Sequence, residues 1–284
     1  MARPFPVVDA HVHFWDPHLL NYPWLDEVPA LDRAFLPSGY AAATAAAGIG
    51  KMVFVECGCA PGQNLDEVAW VSGLAAGESR LKGIVAQVPV ERGQGVRDEL
   101  IALTYFPLVK GVRRNLQGET APGFCLTPDF VAGVRSLAEF DFSFDLCLVH
   151  PQLPAVTELV RRCPEVRFVL DHCGKPAIRA GQTDPWRQHL SELAALPNVM
   201  CKLSGLLTEA DWAHWQPGDL LPYVRHAVEC FGFDRVMYGG DWPVLTLAGD
   251  YPRWSAALAA CLPAATAGDL QKLFQINAET FYHL

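Results

Sequence analysis

The chain has 284 residues, 51% of them hydrophobic and 19% charged, with 22 basic against 31 acidic side chains for a net charge of −9. That length admits one large or two small domains, and the apolar fraction is ample for one sizeable core. The acidic balance, with no Lys/Arg cluster to offset it, excludes phosphate-backbone binding, so no nucleic-acid partner is expected. The first residues lack a basic segment followed by a long apolar one, so no secretory signal is read there. No apolar run approaches the ~18 residues needed to span a bilayer, and no membrane partner is expected. Nine cysteines are scattered and odd in number, several inside apolar runs (Cys57, Cys147, Cys201). They suit buried thiols in a reducing cytoplasm better than a disulfide framework. Cys57-Gly58-Cys59 is not zinc-knuckle spacing, and no second pair completes one.

In chain order, β-rich apolar runs at 7–14, 51–56, 82–88, 109–113, 143–149, 167–171, 199–203 and 235–238 alternate with helix-like stretches. The helices are read at 65–76, 94–104, 129–140, 153–162, 186–195, 220–230 and 251–261. Thr127-Pro128 and Pro154 supply helix-start chemistry. Most strands are continuous apolar runs, as expected where helices cover a parallel sheet. The pattern predicts an α/β chain folded as a single (β/α)8 TIM barrel over residues 1–284, with its site at the C-terminal ends of the strands. A doubly wound sheet is the runner-up, but no Gly-x-Gly-x-x-Gly follows any strand. There is no linker rich in Gly, Pro or Ser, and no solenoid-period repeat.

The strand ends carry the chemistry. They hold His11 and His13, Glu56, Gln87, Arg113 with Arg114, His150, Asp171 with His172, Lys202 with Ser204, and Asp241. A strand sends alternate side chains to one face, so His11-x-His13 aims two imidazoles at one point, to hold a metal or shape a polar pocket. Gly239-Gly240 lets the last strand end in a sharp turn that presents Asp241 at the mouth, placed to deprotonate water. Of the two arginines, Arg113 shares parity with Gly111 and is expected to face inward as a substrate contact. Glu56 is read as its charge partner or as a further metal ligand. Lys202 suits a substrate contact or a buried ion pair equally, and His150 a substrate contact. Asp171 is expected to turn away and hold the strand end. His18, His189, His214, His226 and His283 have no converging partner. Trp15, Tyr22, Trp24, Trp212, Trp215 and Trp242 ring the expected mouth; each alone suits packing, but together they make at least one flat substrate contact expected, with Trp15 and Trp24 favoured.

With DAHVHFWDP, GVRRN, LDHCGKP, KLSG, GGDWP and the closing INAETFYHL in this order, the chain resembles the amidohydrolase superfamily. Within it, the chain resembles the metal-dependent-hydrolase-like group that contains the sugar lactonases and 2-pyrone-4,6-dicarboxylate lactonase. The resemblance spans the whole chain and implies hydrolysis of a small cyclic ester. It implies Asp241 as general base, with His11, His13 and His172 polarising the carbonyl directly or through one divalent zinc. The metal ligands it implies are drawn from His11, His13, Glu56, His172 and Asp241, without making the metal a requirement. The segments LDHCGKP and FDLCLVHPQLP look more like aldonolactonases, implying L-fucono-1,5-lactone or a close L-sugar lactone as substrate. One departure stands out: the fourth strand ends in Arg113-Arg114, where binuclear members carry a bridging lysine, so a two-metal centre is not expected. Other readings on the same barrel are a pyrone-dicarboxylate-type lactonase and a zinc-dependent decarboxylase of an aromatic or unsaturated acid.

Overall fold

A computed structural model describes residues 3–284. Eight strands lie in chain order in one parallel sheet: β1 (Val7–Val12), β2 (Ile49–Val55), β3 (Leu81–Gln87), β4 (Val109–Arg113), β5 (Ser143–Leu146), β6 (Phe168–Leu170), β7 (Val199–Leu203) and β8 (Val236–Tyr238). The ring closes just beyond β8. There the Asp241 N–H donates to the His11 carbonyl and the His13 N–H to the Trp242 carbonyl, each at 2.8 Å. The outer layer holds α1 (Pro37–Ala43), α2 (Asn64–Leu74), α3 (Arg97–Leu103), α4 (Pro128–Ser136), α5 (Leu153–Arg162), α6 (Trp186–Ala194), α7 (Pro217–Phe231) and α8 (Tyr251–Cys261). Two short helices, α9 (Ala267–Gln271) and α10 (Asn277–Tyr282), end the chain. This is the (β/α)8 barrel expected from the alternation of apolar runs.

Local chemistry explains most element ends. Thr127 Oγ1 accepts the Phe130 N–H at 3.4 Å, and Pro128 supplies the first turn of α4. Asp250 does the same for α8 through the Arg253 N–H at 2.7 Å. Three expectations shift. The helix read from residue 94 begins at Arg97, because Gly93 at φ 59° kinks the turn ahead of it. The strand read at 143–149 ends at Leu146, and the Cys147 carbonyl turns to the Leu116 N–H at 2.9 Å. The helices α1, α9 and α10 are too short to show a helical period in sequence.

The barrel interior has two tiers. At the N-terminal end Val8, Ala10, Val53, Val55, Val85, Val169 and Met237 pack together with Ala278, Phe281 and Tyr282 of α10, which stops the bottom of the barrel. Burial of such side chains contributes about 1.5–3 kcal/mol each for the larger ones. The upper tier is polar. β1 reaches it through a bulge: Asp9 pairs with Met52 and Val12 with Phe54, so β1 spends one residue more than β2 over this stretch. Asp9 therefore faces the helices, accepting the hydroxyls of Tyr40 and Tyr251 at 2.9 and 2.7 Å, while His11 turns inward. Strict alternation would have put Asp9 and His11 on one face.

Candidate active site

Five buried charges form the floor of the site. Arg113 at the end of β4 donates from Nε to Glu56 Oε1 at 2.6 Å and from Nη1 to Asp171 Oδ2 at 3.1 Å. Lys202 on β7 lies 2.5 Å from Asp145 Oδ2 and 3.0 Å from Asp171 Oδ1. Asp145 also accepts the Tyr282 hydroxyl at 2.9 Å. None of these side chains is more than 6% exposed, so the charges must balance one another rather than be solvated. Burial alone would raise the Asp171 carboxyl, but Lys202, His11 and Arg113 outweigh it and hold the carboxyl well below the usual range.

Above this floor the imidazoles converge. His11 Nε2 lies 3.1 Å from His13 Nε2, and both face Asp241 Oδ1, at 3.7 and 3.4 Å. His172 Nε2 approaches the same oxygen at 4.0 Å. Burial holds His11 well below its ordinary value and lowers His172 to about 4, against the pull of Asp241 and Asp171. Burial pushes Asp241 up, but His172, His13 and His11 overcome it and keep the carboxyl ionised.

Two strained turns deliver these groups. His172, Cys173, Gly174 and Lys175 all adopt left-handed backbone, at φ 55°, 53°, 71° and 48°. Left-handed backbone costs roughly 1–2 kcal/mol per non-glycine residue, so the turn persists only because its surroundings enforce it. Trp186 Nε1 donates to the Cys173 carbonyl at 2.8 Å, and Ser204 Oγ meets His172 Nδ1 at 2.9 Å. In so tight a turn residues i and i+3 share a face, and both His172 and Lys175 line the cavity. At the second turn Asp241 itself is left-handed, at φ 57°. The sharp bend thus falls on Asp241 and not on Gly239-Gly240. Those glycines serve close packing: a Cβ on Gly239 would stand 2.8 Å from His11 Cβ, and one on Gly240 2.4 Å from the Tyr251 ring.

The cavity over this set measures about 480 Å³. His13, His172 and Asp241 form its base, Trp15, Trp24 and Lys175 part of its wall. Trp24 is fixed by its Nε1–H to the Cys57 carbonyl at 2.7 Å, and Trp15 by its Nε1–H to the Leu31 carbonyl at 3.2 Å. Arg113 faces inward as read, although its guanidinium is already engaged by Glu56 and Asp171; Arg114 turns outward to Glu91 and Glu119.

The geometry decides two readings that were open and corrects two others. Glu56 does not join the metal-type cluster: Oε1 is held by Arg113 and Oε2 by the Gly58 N–H at 2.6 Å. Lys202 does not reach substrate, being fully buried beneath His11. His150 is not among the described residues that line the cavity, because β5 ends at Leu146, four residues before it. Asp171 points into the barrel rather than away. Sequence reasoning also missed Asp145, which lies on the inward face of β5, and Lys175, whose quoted motif was the signal for it.

Donor chemistry and spacing admit a divalent cation. Among the described residues His11, His172 and Asp241 bring one ligand atom each within 4.8 Å of one another, and His13 Nε2 stands beside them. The separations of 3.1–4.0 Å bracket the roughly 3.4 Å between donors of a tetrahedral zinc with ~2.1 Å bonds. All nine thiols are unpaired, and no helix among the described residues is long and apolar enough to cross a membrane.

Comparison with known proteins agrees with the motifs. Residues 8–284 match the Amidohydrolase family. The chain is similar to the L-fucono-1,5-lactonase of Burkholderia multivorans, 34% identical over 255 residues covering 86% of this chain and 84% of the relative. It is also similar to the L-fucono-1,5-lactonase of Burkholderia ambifaria, 33% identical over 285 residues, 98% of this chain and 95% of that one. A crystal structure of a zinc-bound amidohydrolase from Burkholderia multivorans superposes with a TM-score of 0.88 at 31% identity, covering 99% of this chain and 100% of that one. A probable 2-pyrone-4,6-dicarboxylic acid hydrolase from Acinetobacter baumannii, 16% identical with a TM-score of 0.79 over 99% of this chain and 100% of that one, shares the fold. A motif order, a family match over nearly the whole chain and a site of three histidines and one aspartate at the strand ends agree: the chain belongs to the amidohydrolase family.

Proposed function

We propose that this protein is a lactonase that opens a sugar-derived lactone, L-fucono-1,5-lactone or a close L-sugar lactone, to its acid. The observation that carries the reading is an ionised Asp241 facing neutral imidazoles at the base of a 480 Å³ cavity with tryptophan in its wall. The two lactonases at 33–34% identity support the substrate class.

Asp241 accepts a proton from water as the water attacks the lactone carbonyl. Protonated in that step, Asp241 then hands the proton on to the departing ring oxygen. His172 and the Lys175 ammonium stabilise the oxyanion. Lys175 is the cavity's cation with donors to spare, since Glu209 holds it only at 3.4 Å. Trp24 meets the sugar ring, backed by Trp15, which is itself fully buried. A divalent ion, when bound by His11, His172 and Asp241 with His13 beside them, would supply Lewis-acid polarisation of the same carbonyl. The reading treats residues 1–284 as one catalytic domain working on a small soluble metabolite in a reducing cytoplasm.

The test is a panel of five- and six-membered aldonolactones of L and D configuration, followed by acid release in a weakly buffered indicator assay. Fastest turnover is expected on an L-configured sugar lactone. Carbon dioxide release from an aromatic acid without lactone opening would replace this reading with decarboxylation.

A further inference from the structure

The hydrogen bonds around His11 run in one direction. His13 Nδ1 lies 2.8 Å from the Val55 carbonyl, which only accepts, so His13 carries its hydrogen on Nδ1 and leaves Nε2 as an acceptor. His11 Nε2 lies 3.1 Å from that acceptor and must donate to it. At the other edge of the same ring, Lys202 Nζ lies 3.2 Å from His11 Nδ1. Between Asp145 and Asp171 the Lys202 amine is an ammonium, which only donates, so His11 Nδ1 must accept. Two independent neighbours therefore give His11 the same tautomer, with hydrogen on Nε2 and a lone pair on Nδ1. Asp171 Oδ1, 3.3 Å from Nδ1, lies 3.0 Å from Lys202 Nζ, so the ammonium supplies its donor, in keeping with that assignment.

This tautomer is the wrong one for a metal. A ligating imidazole offers a lone pair, and the nitrogen of His11 that faces His13 and Asp241 is Nε2. We propose that Lys202 is a positioning residue that holds His11 as a hydrogen-bond donor to the site, so that metal capture requires His11 to exchange tautomer. In the exchange Lys202 gives up its contact with Nδ1, and the ring hydrogen passes from Nε2 to Nδ1, where Asp171 Oδ1 stands ready to accept it. The ring neither gains nor loses a proton overall. The buried column below, Tyr282 to Asp145 to Lys202, keeps the ammonium in place. The same residues thus provide a metal-free donor state and a metal-ligating state, and Lys202 sets the balance between them. A metal-ligating His11 would gain from an acceptor on its far nitrogen; here that edge meets Lys202 at 3.2 Å and Asp171 Oδ1 at 3.3 Å, so the ammonium competes with the acceptor.

The inference rests on the proposed site but not on the proposed substrate, so its test uses no lactone. Chelator-treated protein labelled with ¹⁵N-histidine is examined by long-range ¹H–¹⁵N correlation, with zinc titrated against a chromophoric chelator. In the metal-free wild type, the expected result is His11 protonated on Nε2 and His13 on Nδ1. With zinc, His11 is expected to carry its hydrogen on Nδ1. In Lys202→Met the metal-free His11 population shifts to Nδ1–H and zinc binds at least tenfold more tightly. A wild-type, metal-free His11 protonated on Nδ1 would overturn the proposal without any variant having to fold. So would a folded Lys202→Met whose zinc affinity rises while the tautomer stays put, since that outcome is charge repulsion alone. Failure on the lactone panel with the expected spectra would sink the substrate reading and leave this one standing.

Discussion

The two tiers of the barrel interior are built by the same strands and differ by a single inward step. On β6 the inward residue changes from Val169 to Asp171, and on β2 the chain passes from Val55 to Glu56 at the strand's end. Below that step the side chains form an apolar cluster that α10 seals; above it lie Glu56, Arg113, Asp145, Asp171 and Lys202, all buried. The lower tier accounts for folding through burial alone. The upper tier opposes folding, because each ion lost its hydration and recovers it only through partners on other strands. Its arrangement is therefore explained by what it holds in place: three histidines and Asp241.

Removing the reacting carboxylate breaks the upper tier at its point of use. Asp241→Asn is expected to lower kcat by 10³-fold or more while leaving the fold intact, since Asn tolerates the left-handed φ of 57°. Turnover within tenfold of the wild type, on any lactone the protein opens, would remove Asp241 from the role of base. Arg113→Met leaves Glu56 and Asp171 without their shared cation, and a loss of about 3–5 kcal/mol in denaturant unfolding is expected.

The upper tier should also confer acid sensitivity. The folded-state value of His172 is depressed to about 4, so between roughly pH 6.5 and 4 the unfolded chain binds a proton at this residue that the folded chain refuses. Stability from His172 is therefore complete above pH 6.5 and falls as the pH drops through that window, by about 3 kcal/mol in the limit. Asp9 and Asp145, both raised to about 6, act in the opposite sense over pH 6 to 4, so the wild-type curve alone is ambiguous. The difference between wild type and His172→Asn isolates the histidine; a difference independent of pH would show that His172 is not held neutral. Lys175→Met, which deletes one oxyanion donor, is expected to lower kcat about 10²-fold with little change in KM. A rise in KM alone would make Lys175 a ground-state contact.

The lower tier was legible in the sequence and the upper tier only in part. Continuous apolar runs such as Phe168-Val169-Leu170 announce a covered strand, and eight of them announce the barrel. His11, His13, His172 and Asp241 were legible because their motifs sit at strand ends. What alternation could not show was the bulge that turns His11 inward away from Asp9, or the left-handed run from His172 to Lys175 that puts both side chains on one cavity. Nor could it decide pairing across the barrel: Glu56 and Lys202 read equally as ligands and as ion-pair partners, and only Arg113, Asp145 and Asp171 from other strands settle them as ion-pair partners. His150 illustrates the opposite error, since a strand ending three residues early moves it away from the cavity.

The smallest effect is the sharpest check on the contrast between tiers. Met237 lies in the lower tier, fully buried, one strand away from Lys202, with which it is in register. Met237→Leu conserves volume in a region held by burial alone, so a cost below about 1.5 kcal/mol is expected. Leu has fewer rotatable bonds than Met, which lowers the entropy lost on burial and offsets part of any packing defect. Activity should be unchanged, because no hydrogen bond to the charged tier passes through this side chain. A tenfold loss of kcat at unaltered stability would show that the apolar floor also sets the position of Lys202, and the two tiers would then have to be treated as one unit.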